Sequence, residues 1–163
     1  MSDDDSTPRL LVIWHSRTGA SEAMARAAAE GANTLLVFAR DVTDRMLLDA
    51  GGYLFACPEN LASMSGEMKE MFDRTYYAVL GQIEGRPYAT IIAAGSDGEG
   101  AQRQIDRIAT GWRLKRVADP MIVNFSAQTP EEILARKQVP EDVLAECREL
   151  GEGLAEGLQM GVF

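Results

Sequence analysis

The chain has 163 residues, with 25 Asp and Glu against 16 Lys and Arg and a formal net charge of −9. That length suits one domain with a substantial core, and the acidity repels nucleic-acid phosphates and anionic membrane surfaces, so neither is expected as a partner. The two cysteines, Cys57 and Cys147, fall on different predicted elements and suggest no disulfide framework; no apolar run approaches the roughly 20 residues of a membrane helix, and the expected compartment is the cytoplasm.

Residues 1–9 are acidic and polar and read as a flexible tail, without the basic start and apolar centre of a signal peptide. A single domain is expected over 10–163. Leu10 to Trp14 is an apolar run of strand length. It breaks into His15, Ser16, Arg17, Thr18, Gly19, Ala20 and Ser21, then into a helical stripe of Ala20, Ala23, Met24, Ala27, Ala28 and Gly31. A strand, a hydroxyl-rich loop without lysine and a helix together make a site for a phosphate dianion. The hydroxyls of Ser16, Thr18 and Ser21, the amides around Gly19 and the positive end of the helix would converge on one anion. A serine-rich turn that only caps the helix would carry the same letters. Neither Gly-x-x-x-x-Gly-Lys-Ser/Thr nor Gly-x-Gly-x-x-Gly stands here, which excludes the P-loop and dinucleotide fingerprints at this turn.

Strand two is predicted over Thr34–Ala39 and strand three over Tyr53–Cys57, stopped by Pro58. The loop Pro58, Glu59, Asn60, Leu61, Ala62, Ser63, Met64 and Ser65 leads into a helix whose stripe is Met68, Met71, Phe72 and Thr75, read as core. Asn60, Ser63 and Ser65 could serve a ligand or equally the turn and the helix cap. Lys69 and Asp73 stand four apart, the spacing of a surface ion pair. Strand four, Ala89–Ala94, runs into Gly95, Ser96, Asp97, Gly98, Glu99 and Gly100, glycines that would let backbone approach a flat ring or simply make a flexible turn. Strand five is predicted over Val117–Asn124. Thr129-Pro130-Glu131-Glu132 is a capping box that starts a short helix. Beyond Pro140 a last helix carries Val143, Leu144, Cys147, Leu150, Leu154 and Leu158, weakened by Gly151, Gly153 and Gly157, so that its end frays or docks. Strands alternating with helices predict a parallel sheet covered on both faces, with any ligand beyond the carboxyl ends of the strands where their order reverses.

Ser16-x-Thr18-Gly19-x-Ser21 at the first βα turn resembles the phosphate loop of the flavodoxin-like superfamily. Pro58 followed by Ser65-Gly66-x-x-Lys69-x-x-x-Asp73-Arg74 resembles the segment that lies along the flavin in NAD(P)H-dependent FMN reductases and their quinone-reducing relatives. The resemblance covers Leu10 to Gly100 and is specific because two motifs occur in order at the right separation. It implies an α/β flavodoxin-like three-layer sandwich, with a five-stranded parallel sheet of order 2-1-3-4-5 and helices on both faces. It also implies FMN held by His15, Ser16, Arg17, Thr18, Gly19, Ala20 and Ser21, by Pro58 through Ser65, and by Gly95, Ser96, Asp97, Gly98 and Gly100. No metal and no catalytic side chain are expected, because the chemistry belongs to the cofactor.

The activity so implied is transfer of hydride from NAD(P)H via FMN to a quinone, flavin or other small acceptor, in a homodimer. The alternative is a flavodoxin-type electron carrier with a protein redox partner. Carriers usually sandwich the ring between aromatic side chains from the loops after strands three and four. Residues 58–66 and 95–102 contain no Trp, Tyr or Phe, which favours the reductase. His15 is expected in a structural or ribityl-side position, Cys57 as a small buried hydrophobe, and Arg17 departs from the small residue usual at its place. A receiver domain is excluded: His15-Ser16 stands where acidic residues are needed, and Cys57-Pro58 where a phosphoacceptor Asp is.

Overall fold

The computed structural model describes residues 9–163, so all of the expected tail but Arg9 lies outside the described residues. The elements run β1 (Leu10–Trp14), α1 (Ala20–Ala28), β2 (Thr34–Phe38), a 3-10 turn (Ala39–Asp41), α2 (Asp44–Asp49), β3 (Gly52–Asn60), β4 (Ser63–Met64), α3 (Gly66–Val79), β5 (Pro87–Ala94), α4 (Glu99–Gly111), β6 (Lys115–Arg116), β7 (Met121–Asn124), α5 (Pro130–Leu134) and α6 (Glu141–Met160). The sheet has seven strands, in the order β2-β1-β3-β5, with β6 and β7 one after the other along the far edge of β5 and β4 folded back on β3. This is the flavodoxin-like order 2-1-3-4-5, with the fifth position shared by two short strands.

Alternation of side chains along the buried strands sorts the core onto two faces. Leu11, Ile13, Tyr53, Phe55 and Cys57 point to one side, where Leu47, Met68, Met71, Phe72, Ile105 and Trp112 from α2, α3, α4 and the turn after α4 cover them. Leu10, Val12, Leu54, Ala56 and Ile91 point to the other, under Met24, Ala28, Cys147, Leu154 and Leu158 of α1 and α6. Each such large aliphatic or aromatic side chain, fully buried, contributes roughly 1.5–3 kcal/mol. Met68 and Met71 are core, as their spacing predicts, and no described helix is long and apolar enough to cross a membrane.

Three predicted boundaries are corrected. Strand three does not stop at Pro58 but continues through Asn60, with Pro58 in register with Ala93. The Ala56 carbonyl faces β1 and accepts from His15 N at 3.1 Å, so Pro58, two residues on, faces the same side after β1 has ended. Its missing N–H therefore removes no ladder bond. Strand five is broken: Lys115–Arg116 pairs with Pro87–Tyr88, and pairing resumes only at Met121, past Asp119-Pro120. Strand two ends at Phe38, and Ala39 opens the 3-10 turn, whose carbonyl and that of Val42 accept from the Arg74 guanidinium.

The glycines of α6 have opposite environments. A Cβ at Gly151 would lie 1.8 Å from the Ala28 carbonyl oxygen of α1, whereas one at Gly153 would meet nothing within 4 Å. The helix docks rather than frays at Gly151. Gly151→Ala is therefore expected to lower the unfolding free energy by about 1–3 kcal/mol through forced separation of α1 and α6. Gly153→Ala is expected to raise it by about 0.5–1 kcal/mol by restoring helix propensity. Urea denaturation of the two variants beside the parent measures both signs.

Candidate functional site

β1 and β3 run parallel in register, Trp14 opposite Ala56, so the loops that follow them open at the same height on the carboxyl edge of the sheet. The first loop is shaped by Gly19, which caps α1 at φ +98 and donates its N–H to Ser16 Oγ at 3.0 Å. No side chain caps α1, leaving its first amides for another acceptor. Ser21, 1% exposed, has a hydroxyl oxygen with no hydrogen-bond partner. A buried, unsatisfied hydroxyl costs about 1–3 kcal/mol, and here it lies in the first turn of a helix whose positive end is open. The donor set is one that a phosphate could take.

The second loop is a tight β-hairpin. Glu59 pairs with Met64 and Asn60 with Ser63, leaving Leu61 and Ala62 as a two-residue turn at φ 52 and 64. Such turns normally use Asn-Gly, because both central residues are left-handed; Leu and Ala each carry a strain of about 1–2 kcal/mol. The Glu59 carboxylate accepts from Gly98 N at 2.8 Å and Ala101 N at 3.2 Å, so it serves the open start of α4. Ser63 Oγ donates to Gln104 Oε1, which also accepts from Met64 N, and the Met64 side chain is in the core. Of the expected binding residues, Glu59, Ser63 and Met64 thus hold the hairpin to α4.

The glycines of the third loop meet protein at close range. A Cβ at Gly98 would lie 2.4 Å from Ile122, one at Gly100 2.1 Å from the Ala62 oxygen, and one at Gly95 2.7 Å from the Ala127 oxygen. Chain packing by itself requires a residue without a Cβ at all three. Ser96 and Asp97 are exposed; the Ser96 carbonyl accepts from Asn124 Nδ2 and Asp97 from the Glu99 N–H.

Between these loops lies a narrow slot of about 60 Å³. Arg17, Thr18, Ala20, Pro58, Glu59, Asn60 and Gly95 line it, as the sequence places them. Its remaining walls were not read from the sequence: Ala93 and Ala94 at the end of β5, Phe125 and Ala127, and Ile133, Leu134 and Lys137. The last three belong to a strap, residues 125–139, between β7 and α6. It is anchored by Phe125 N on Ala94 O and Ala127 N on Gly95 O, both 2.8 Å, and at its far end by Lys137 N on Thr18 O at 2.9 Å. α5 within it is capped by Thr129 Oγ1 accepting from Glu132 N, as its capping box predicts. The Lys137 ammonium closes the other end by donating to the Glu132, Ile133 and Ala135 carbonyls. The guanidinium of Arg136 lies over the first loop: a Cβ built on Gly19 would be 2.8 Å from its Cζ. The one available sequence signal was the basic pair Arg136-Lys137 in a segment otherwise short of charge beyond its acidic cap.

His15 turns away from the slot. It is buried, with Nδ1 2.9 Å from Ser65 Oγ and Nε2 3.9 Å from Glu67, beside the Phe38 ring. Ser65 makes no side-chain cap to α3; its hydroxyl serves His15 instead. Cys57 is fully buried and its thiol is pushed up to about 12 by burial, against hydrogen bonds from Ser65, so it is an inert hydrophobe. Lys69 and Asp73 form the expected ion pair at 2.6 Å. Among the described residues no group of three or more His, Cys, Asp or Glu is placed to hold a metal.

The family model described as NADPH-dependent FMN reductase matches residues 39–126, more than half of the chain. A flavodoxin of Aquifex aeolicus is 29% identical over 159 residues, spanning 91% of this chain and 85% of that protein. The fold matches that of a flavodoxin from the domain Archaea with a TM-score of 0.73 at 21% identity, covering 92% of this chain and 98% of the other. It also matches an NADPH-quinone reductase from P. pentosaceus with a TM-score of 0.63 at 16% identity, over 88% and 97%.

Burial lowers the pKa of His15 below its ordinary 6.5; Glu67 opposes this, and Arg17 and Arg40 reinforce it. The unfolded chain then binds the proton more readily. His15 thus contributes stability that is complete above pH 6.5 and is lost as pH falls through 6.5 toward the lowered value. Since it is the only histidine, its ring protons in NMR report this directly. The titration midpoint is expected below 6.5, and lower still in Glu67→Gln, which removes the carboxylate favouring the imidazolium.

Proposed function

The chain belongs to the NADPH-dependent FMN reductase family, and from that premise we propose that it binds FMN by the phosphate at Ser16–Ser21 and relays reducing equivalents from a nicotinamide nucleotide to a small acceptor, such as a quinone or a flavin. The observation that carries this is the buried Ser21 hydroxyl without a partner, beside an α1 start that no side chain caps. The residues present fit a bound phosphate monoester. When bound, FMN supplies an acceptor of two electrons that can release them singly or in pairs.

The protein binds, orients and shields. The amides of the first turn of α1 and the hydroxyls of Thr18 and Ser21 fix the phosphate. The hairpin at Asn60–Ser63, held to α4 through Glu59, would support the ring beside Pro58. Ile133 and Leu134 of the strap would give the bound group an apolar outer wall. His15, kept neutral by burial, adds no fixed charge behind the site. No Trp, Tyr or Phe of residues 58–66 or 95–102 covers the ring, which leaves a face for a nicotinamide; Phe125 is the aromatic wall the slot does have.

The second reading, an electron carrier with a protein redox partner, is favoured by one feature: Leu61 at the hairpin tip is fully exposed beside the site, an apolar contact a partner protein could cover.

Two measurements decide. Thr18→Ala should weaken FMN binding about ten- to hundredfold by removing a hydrogen bond to a charged group, and the parent protein should bind riboflavin far more weakly than FMN. Equal affinity for the two in calorimetry would remove the phosphate-loop assignment. In stopped-flow mixing, NADPH or NADH should bleach the flavin of the loaded protein as fast as it turns over a quinone. Bleaching by a reductase protein alone would establish the carrier.

A further inference from the structure

We infer that Arg136, carried on the strap 125–139, is a phosphate-binding residue that selects the phosphorylated flavin and latches the strap over the site; this rests on the reading that FMN occupies the loop Ser16–Ser21. The argument begins with an electrostatic oddity. The start of α1 is the positive end of a helix and favours anions. Yet the strap brings a guanidinium onto it, with Cζ 2.8 Å from where a Gly19 Cβ would be, and Arg17 stands in the same loop. Among the described residues no carboxylate and no hydrogen-bond acceptor pairs with Arg136. Of the neighbouring charges, Glu22 is paired with Arg26 and Glu67 with Arg40, which leaves Arg17 and Arg136 as the cations beside the loop.

Chance does not hold Arg136 there. The neighbouring Lys137 N–H is bonded to the Thr18 carbonyl inside the phosphate loop, which fixes the strap backbone one residue away. The Lys137 ammonium, the other cation of the pair, is taken by three carbonyls at the end of α5. One basic residue thus builds the strap, and the other is left with a free fork over the anion site. A guanidinium presents donors in a planar array that matches phosphate oxygens. Cation, uncapped amides and the Ser21 hydroxyl point to one dianion. Its arrival would turn a repulsive pairing, Arg136 against the positive end of α1, into an attractive one.

The strap also forms the lid. With Ile133 and Leu134 in the wall the slot measures about 60 Å³, against the roughly 300 Å³ or more of a pocket for a cofactor-sized ligand. With the strap in this position a flavin would lie largely at the mouth of the slot, against the half-exposed Ile133 and exposed Leu134, and the bond of Arg136 to the phosphate would hold the strap against it.

The test is calorimetric titration of parent, Arg136→Gln and Arg136→Lys with FMN, riboflavin and inorganic phosphate, with amide hydrogen exchange of residues 128–137 alongside. Arg136→Gln should lose about tenfold or more in FMN affinity while riboflavin binding stays within about twofold, and Arg136→Lys should recover part of the loss. Inorganic phosphate should compete with FMN in the parent and less in Arg136→Gln. FMN should slow exchange in the strap of the parent and riboflavin should not. Unchanged FMN affinity in Arg136→Gln, or an equal fall for both flavins, would overturn the role of Arg136 while leaving FMN at the loop intact. A parent protein that does not distinguish FMN from riboflavin would overturn both.

Discussion

The left-handed turn at Gly19 is the constraint on which the functional edge depends. At φ +98 the chain leaves β1, folds its N–H back to Ser16 Oγ and enters α1 with the first amides open. A residue with a Cβ would face two penalties at once, the backbone region itself and the Arg136 guanidinium within 3.1 Å. Because β1 and β3 are parallel and in register, that turn stands level with Pro58, and the parallel pairing of β3 with β5 brings Gly95 to the same rim. One glycine therefore fixes both where an anion can sit and how far the strap can descend.

Glu59 does the corresponding work across the site. Its carboxylate takes two amides at the start of α4, a charge-assisted pairing at a positive helix end, and so ties the hairpin after β3 to the loop after β5. That tie explains how a turn made of Leu61 and Ala62 persists without the Asn-Gly that would relieve it. The hairpin is held from outside, by Glu59, by Gln104 on Ser63 and Met64, and by the Ala62 oxygen packed at the Cβ position of Gly100. Strained backbone of this kind persists only where the surrounding structure holds it.

What the sequence made legible was local. The strand and loop from Leu10 to Ser21, the stripes of α1 and α3, the capping box at Thr129 and the Lys69–Asp73 pair all depend on residues within a turn or two of one another. What it hid depends on partners far along the chain. Pro58 reads as a stop unless one knows that β1 has already ended beside it. Gly98 and Gly100 read as freedom, though Ile122 and Ala62 make them necessities of packing. Asp119-Pro120 breaks the fifth strand because β5 is long enough to pair with β6 and β7 in separate registers. The strap returns to Thr18 from Lys137, and no periodicity encodes a contact at that separation.

The charge of the molecule sharpens the role of that return. A chain of net charge −9 is a poor host for a doubly negative phosphate, and the loop Ser16–Ser21 proposed to hold one contains no lysine. Salt reduces the reach of distant carboxylates to about 8–10 Å, so what the anion meets is the local balance. Glu22 at the start of α1 is neutralised by Arg26. What remains is Arg17 from the loop and Arg136 from the strap, together with the amides of a helix end. The side-chain charge beside that helix end is positive on an acidic protein, and half of it arrives on the strap. Under the proposed reading, an anion at this loop would meet Arg136 together with the amides of α1, and any water it displaced from the slot would raise the worth of the polar contacts inside.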